Sequence, residues 1–225
     1  MTFEEQIESL TGLTISSTGT TPTQDEVSQF LKDGIKDVIN KLIEISPAET
    51  AKFTATTHDA ENNGIVITGK SIAIVREHDS TSILRPCTLI SSQDRYEATD
   101  VDSIKYRSPY NPGYYILDGK IFSVPASASG NNDLIVTQVT YPSTTYLEST
   151  IINFPDEFEY LVVIYASMKS LESKMAEYTI TEEDSELAQS LGLNIASLGK
   201  QYNEGLLVKT PQQERRTRQA ESERQ

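Results

Sequence analysis

The stretch Phe154-Pro155-Asp156-Glu157-Phe158-Glu159-Tyr160-Leu161 opens the segment that decides the fold. Proline at a first helical position loses no hydrogen bond, because its missing N–H would be unpaired there, and the acidic residues face the positive end of the helix dipole. The unbroken run 162–164 predicts burial on more than one side. Apolar residues recur at three- and four-residue steps and predict one broad buried face: Phe158, Leu161, Val162, Tyr165, Met168, Leu171 and Met175.

A second helical pattern follows a short polar interruption at 178–181. Thr181, with Asp184 three residues on, is close to a capping box and marks the start of this helix. A connection this short predicts that the two helices are antiparallel neighbours. The apolar stripe of the second helix is narrower than that of the first: Leu187, Leu191, Ile195, Leu198, Tyr202 and Leu206.

A third helix is predicted near the beginning of the chain. Thr23 with Glu26 forms a capping box, and Ser46-Pro47 ends the pattern. Upstream, residues 3–10 suit two helical turns, whereas Gly12 to Thr21 is rich in Thr, Ser and Gly and predicts an extended arm. The stripe of the third helix comprises Val27, Phe30, Leu31, Ile35, Val38, Ile39, Leu42 and Ile43.

Between Ala51 and Tyr146 the apolar period changes to two, which is typical of strands. Asp118-Gly119 is a strong signal for a two-residue hairpin turn. The segments are short and sequential, so they predict a small antiparallel sheet folded on itself. The strand-like segments are 52–56, 64–68, 71–75, 82–90, 114–117, 120–124 and 134–141.

These patterns predict an α+β protein. Its three-helix core combines the early helix with a C-terminal antiparallel helix pair, and a small antiparallel β domain is inserted between them. The predicted parts are an N-terminal arm (1–22), the helical core (23–47 and 151–208), the β domain (48–150) and an extended polar C-terminal tail (209–225).

The net charge of −14 is unevenly distributed. Residues 209–225 contain five basic and three acidic side chains, which gives the tail +2 and leaves −16 for the rest. Such an acidic body argues against binding nucleic acid through its phosphates. The tail has no large apolar residue after Val208, so we expect it to fold only against a partner.

Composition also bounds the compartment. Cys87 is the only cysteine, so no internal disulfide forms and a reducing cytoplasm is expected. No apolar run of eighteen residues occurs, and the N-terminus lacks the features of a signal peptide. We therefore expect no membrane association.

Residues with catalytic potential are few, and we predict no enzyme, metal or cofactor. His58 lies in the polar stretch His58-Asp59-Ala60-Glu61-Asn62, which superficially resembles a metal-ligand cluster but lacks a second histidine. His78 reads as a strand end, and Cys87 as a small hydrophobe in an apolar strand. The carboxylates at 156–157 and 182–184 are accounted for by helix dipoles.

Tyrosines are concentrated in the β region: seven of the eleven lie between Tyr96 and Tyr146. Tyr110, Tyr114 and Tyr115 are close together around a turn at 111–113. Two interpretations remain open, since tyrosine is common both on half-buried strands and at interfaces. The first is ordinary strand packing, and the second is a subunit interface.

The segment from Phe154 to Leu161, continuing through Ile164 to Lys169, resembles the helical core of head-to-tail adaptor (neck, or head-completion) proteins of tailed bacteriophages. In that family an apolar residue, proline and acidic residues open a helix, and small residues and a tyrosine follow about two turns later. The order of parts is also similar: an early helix, a variable β insertion, a helix pair and a polar tail. The resemblance covers the helices at about 24–45 and 154–207.

The resemblance implies a structural virion protein in the neck between capsid and tail, made in the host cytoplasm. Its subunits would form a homo-oligomeric ring, usually a dodecamer, through which DNA passes without specific binding. The C-terminal tails would dock on the portal protein, with tail or nozzle proteins mounted below. The residues expected to contact the portal are Val208, Lys209, Pro211, Arg215, Arg216 and Arg218.

Two alternatives remain. One is a tail-completion or nozzle component of the virion, with the β domain contacting tail proteins. The other is a carbohydrate- or peptide-binding module that uses the tyrosine-rich sheet.

Overall fold

A computed structural model describes residues 1–78, 83–128, 132–179 and 185–208. This part of the chain has the predicted α+β composition, with four α-helices and two four-stranded sheets. It divides into two compact units. The helical unit comprises Met1–Phe53 and the described residues from Tyr141 onward, and the β unit comprises Thr54–Thr140.

The helices are α1 (Phe3–Thr11), α2 (Gln24–Ile45), α3 (Asp156–Glu177) and α4 (Ser185–Val208). The predicted capping box of α2 is confirmed: the N–H of Thr23 donates to Glu26 at 2.7 Å, and the Thr23 hydroxyl accepts from the Glu26 N–H at 3.4 Å. Pro155 is the N-cap of α3, one position before the expected one. The predicted Thr181–Asp184 box lies outside the described residues.

Helix α3 is the centre of the helical unit and packs against α1, α2 and α4. The run 162–164 is buried, as its unbroken apolar character predicts. Helices α3 and α4 are antiparallel, because Gly205 near the end of α4 faces Tyr160 and Gly199, earlier in α4, faces Met168. The predicted C-terminal helix pair is therefore confirmed.

The helical turns predicted at residues 3–10 are confirmed as α1, whereas the segment from Gly12 to Thr21, predicted as an extended arm, is a compact loop. Phe3 and Ile7 of α1 are fully buried, and α1 packs on α3. Gly12 then reverses the chain with a φ of 70°. The Thr20 hydroxyl accepts the N–H of Ser16 at 2.9 Å, so the hydroxyl-rich segment satisfies its own backbone instead of remaining extended.

The strands of the β unit are β1 (Thr54–Asp59), β2 (Ile65–Val66), β3 (Ser71–His78), β4 (Ile83–Pro86), β5 (Thr88–Leu89), β6 (Gly113–Leu117), β7 (Lys120–Val124) and β8 (Leu134–Val139). Their order is β1-β8-β3-β4 in one sheet and β2-β7-β6-β5 in the other. Asp118 and Gly119 have φ values of 51° and 70°, as the predicted hairpin turn requires.

Two details of the β unit differ from the sequence prediction. Lys52 and Phe53 end a 3₁₀ helix, Pro47–Phe53, so β1 starts at Thr54. In addition, β5 and β6 pair in parallel, whereas the other strand pairs described in the β unit are antiparallel. The long connection 90–112 permits this pair, since parallel neighbours need a crossover of a dozen or more residues.

The core of the β unit contains side chains from both sheets. Ile65 and Ile121 come from one sheet, and Leu134 and Val136 from the other. This shared apolar core is the physical reason that the short strands form one unit. Partly buried residues that complete it are Ile67, Ile74, Cys87 and Tyr114.

Candidate interaction surfaces

The C-terminal half of α4 is held firmly against the helical unit. The Tyr202 hydroxyl donates to the Asp37 carboxylate on α2 at 2.6 Å, and Lys41 lies 2.8 Å from the same carboxylate. The Lys41 ammonium is also 4.8 Å from the centre of the Tyr202 ring. Burial is the main cause that raises the pKa of Tyr202, and the hydrogen bond to Asp37 raises it further, because both disfavour the phenolate.

A close helix approach fixes the last turn of α4. A Cβ at Gly205 would lie 2.6 Å from the Tyr160 hydroxyl and 2.7 Å from Leu161 Cδ2. Leu206, the next residue, is buried. The described part of α4 is therefore held close to the surface of α3 in its last turn.

The predicted portal contacts lie at and beyond this helix end. Val208 is the last residue of α4. Lys209, Pro211, Arg215, Arg216 and Arg218 lie outside the described residues, so their role stays a prediction. The structure shows how the helix that precedes these residues is packed against α2 and α3.

A groove beside the end of α4 presents apolar side chains to solvent. It has a volume of about 360 Å³ and is formed by α1, α3 and α4. Leu10 is 48% exposed and Met1 73% exposed. The groove is lined by Met1, Gln6, Ser9, Leu10, Tyr160, Val163, Ile164 and Gln201.

The first turn of α3 forms a small exposed ion-pair network. Lys52 lies 2.9 Å from Glu157 and also contacts Glu49. Hydrogen bonds to Glu49 and then to Glu157 raise the pKa of Lys52. Because these groups are largely in solvent, the pairs contribute little stability. The carboxylates 182–184 lie outside the described residues.

The three tyrosines predicted as a subunit interface occupy different environments. Tyr114 and Tyr115 are consecutive on β6, so their side chains point to opposite faces of the sheet. Tyr114 packs on the core, and Tyr115 stacks on Phe122 with ring centres 5.4 Å apart. Tyr110 is 68% exposed and its ring centre is 4.3 Å from that of His78. Only Tyr110 offers a largely exposed ring.

The connection between β5 and β6 exposes several apolar side chains, a feature that the sequence analysis did not single out. Ile104 is fully exposed, and Tyr96 and Val101 are each 70% exposed. The connection also borders a polar cavity of about 430 Å³. Lys105 lies 2.9 Å from Asp94 across this loop.

The polar stretch after β1 is a backbone turn. Asp59 is buried, and its carboxylate accepts the N–H groups of Glu61, Asn63 and Gly64 at 3.2, 3.1 and 2.7 Å. His58 Nδ1 is 3.9 Å from Asp133. Among the residues that the structure describes, no group of His, Cys, Asp or Glu is arranged to hold a metal ion.

The two remaining residues with reactive side chains, Cys87 and His78, are both packed within the β unit. Cys87 lies between β4 and β5, where burial raises the pKa of its thiol to about 12. His78 is the last residue of β3, as the sequence pattern predicts, and its side chain is buried. Within the described ranges, no helix has the length and apolar character needed to cross a bilayer.

The chain matches no protein-family model and no curated protein.

Proposed function

We propose that this chain is a structural virion protein that forms an adaptor ring between the portal and the tail of a tailed bacteriophage. The observation that carries the proposal is the order of the parts. An early helix, an inserted β unit and an antiparallel helix pair precede a basic segment, and the three long helices share one compact unit. This is the order that the resemblance to adaptor proteins implies.

The anchoring of α4 supports a docking role for the tail. Tyr202 contacts α2 and Gly205 closely approaches α3, so the helix that precedes the tail is packed on the helical unit. A segment that is attached at one end to a folded unit loses less entropy on binding than a free peptide does. Arg215, Arg216 and Arg218 supply guanidinium groups that suit carboxylates or carbonyls of a portal subunit.

The net charge supports a channel that does not bind the DNA passing through it. The charge outside the tail is −16, and a ring wall of this sign repels phosphates instead of binding them. DNA then passes along the channel without a specific site.

A binding assay with the portal protein of the same virion tests this proposal. Deletion of residues 209–225 is expected to leave the far-UV spectrum and melting temperature unchanged and to abolish portal binding. The triple variant Arg215→Ala, Arg216→Ala, Arg218→Ala should weaken binding at least tenfold. The matched control, Gln212→Ala with Gln213→Ala, should bind as the wild type does. Undiminished binding by the deletion variant would contradict the docking role.

One observation favours the carbohydrate- or peptide-binding alternative, namely the cavity of about 430 Å³ beside the exposed Tyr96 and Ile104 loop. Cavities of this size suit small ligands. Binding of a glycan by a chain that stays monomeric in light scattering would favour this alternative over the ring.

A further inference from the structure

The sheet β1-β8-β3-β4 has two open edges. In the described part of the chain, no strand pairs with the outer side of β1 or of β4. Natural sheets normally block such edges with lysine, proline or a bulge. Strand β1 contains neither lysine nor proline, and residues 55–58 are exposed. We propose that β1 of one copy pairs with β4 of a second copy, so that neighbouring subunits share a continuous sheet.

The strand directions suit this contact. β1 is antiparallel to β8, β8 to β3, and β3 to β4. β1 and β3 therefore run one way, and β8 and β4 run the other way. When a second copy extends the sheet, its β4 lies antiparallel to β1. Because two different edges meet, the contact is head-to-tail and closes into a ring when the rotation between copies divides a full turn.

The backbone groups of Thr56 and His58 point outward from the β1 edge. Val139 donates its N–H to Lys70 at 2.9 Å, on the β3 side of β8. Val139 lies opposite Thr54, so Thr54 turns its backbone groups away from β8. Alternation along the strand gives Thr56 and His58 the same outward direction, with one N–H and one C=O each.

The β4 edge offers a complementary set. Cys87 donates its N–H to Ile74 at 2.9 Å, so Ile74 and, by alternation, Arg76 face β4. The partner of Arg76 on β4 is Arg85, which therefore faces β3. Leu84 consequently directs both of its backbone groups outward. Pro86 is the next outward residue and offers only its C=O, because proline has no N–H.

The two faces of the shared sheet also match. Thr57 lies opposite Val136, whose side chain is in the core between the sheets. On β4, Ile83 and Arg85 share the face of Arg76, which is also the face of the core residue Ile74. Leu84 occupies the outer face, as Thr56 and His58 do on β1. Pairing Leu84 with either residue therefore keeps the inner and outer faces continuous.

Exposure supports the same contact. Ile83 is 48% and Leu84 52% exposed, although both are large apolar residues of a strand. A neighbouring strand would cover part of this surface. The inference deepens the proposed function, since it supplies the subunit contact that a ring requires.

Cysteine cross-linking tests the pairing and its register. In a Cys87→Ala background, Thr57→Cys is combined with Ile83→Cys for one register and with Arg85→Cys for the other. Both pairs would be non-hydrogen-bonded positions with Cα atoms about 4.5 Å apart, which a disulfide bridges. Under mild oxidation we expect one double variant to give a ladder of dimers, trimers and larger species. Each single-cysteine variant should stay monomeric on a denaturing gel, and dimers from a single variant would overturn the head-to-tail contact.

A second measurement does not depend on disulfide geometry. Thr56→Pro removes an outward N–H and leaves the backbone bonds to β8 intact, whereas the control Thr56→Val keeps that N–H. Both substitutions remove the hydroxyl that bonds to Thr137 on β8, so the comparison isolates the N–H. In sedimentation across a concentration series, we expect Thr56→Pro to weaken self-association at least tenfold and Thr56→Val to match the wild type.

The outcomes separate the two proposals. The edge pairing is wrong if the protein forms a ring that binds portal, gives no cross-linked ladder and self-associates normally as Thr56→Pro. The proposed adaptor role would not be affected by that result. A ladder without portal binding supports the edge pairing and contradicts the adaptor role. A chain that stays monomeric at every concentration, alone and with portal, overturns both.

Discussion

The phenol of Tyr202 on α4 and the carboxylate of Asp37 on α2 are joined by a 2.6 Å hydrogen bond in a largely buried environment. Tyr202→Phe removes this charge-assisted bond and is expected to lower the free energy of unfolding by about 1–3 kcal/mol. Urea denaturation measures the loss.

A double-mutant cycle with Asp37→Ala isolates the pair. If the bond stabilises the fold, the double variant should lose less than the two single variants together, by about 1 kcal/mol or more. Additive losses would contradict a direct role for the bond and would assign the effect of Tyr202→Phe to packing.

Helix α4 supplies a matched pair of glycine substitutions. Gly205→Ala places a methyl group 2.7 Å from Leu161, which is fully buried and has little room to move. We expect a loss of about 1–3 kcal/mol from overpacking. Gly192→Ala in the same helix meets no atom within 4 Å and should stabilise the protein by about 0.4–1 kcal/mol. Thermal melting of both variants measures the contrast, and equal shifts would contradict the close approach of α3 and α4.

Local signals in the sequence were sufficient for much of the fold. The Thr23 capping box, the Asp118-Gly119 turn and the burial of 162–164 each depend on neighbouring residues or on one period, and all three are confirmed. The fold class follows from these periods, since a change from a helical to a two-residue period separates helices from strands.

Features that depend on distant partners were not predictable in the same way. The segment around Thr20 is compositionally a linker, yet its hydroxyls and Gly12 fold it back on α2. The parallel pairing of β5 with β6 is decided by the route of the chain through 90–112, which no local pattern encodes. The open edges of β1 and β4 exist only once the strand order is known. The residues predicted to contact the portal stay a prediction.

Cys87 provides a test of burial in the β unit through the pH dependence of stability. Burial raises its thiol pKa from the ordinary 9.0 to about 12, so the folded state holds the proton more tightly than the unfolded state. The stabilisation from the neutral thiol is fully present below pH about 9 and is lost as the pH rises toward about 12. The difference in unfolding free energy between the wild type and Cys87→Ala should therefore become less favourable to the wild type across this range.

Urea titrations at pH 8, 9, 10 and 11 measure this difference. The two proteins share every other ionisable side chain, so the comparison isolates the thiol. A difference that is constant with pH would show that the thiol has the same pKa in the folded and unfolded states.

Substitution of Asp59 tests whether the loop after β1 is a structural turn or a metal site. Its carboxylate accepts three backbone N–H groups, so Asp59→Ala leaves three partly buried donors without their acceptor and should cost about 1–3 kcal/mol. Glu61→Ala, in the same loop, removes an exposed side chain and should change stability by less than about 0.5 kcal/mol. Because the carboxylate acts on the backbone, the cost of Asp59→Ala should be the same in EDTA and in millimolar Ca²⁺ or Zn²⁺. A wild-type stability that rises with either cation, and a loss of that rise in Asp59→Ala, would instead assign the loop to metal binding.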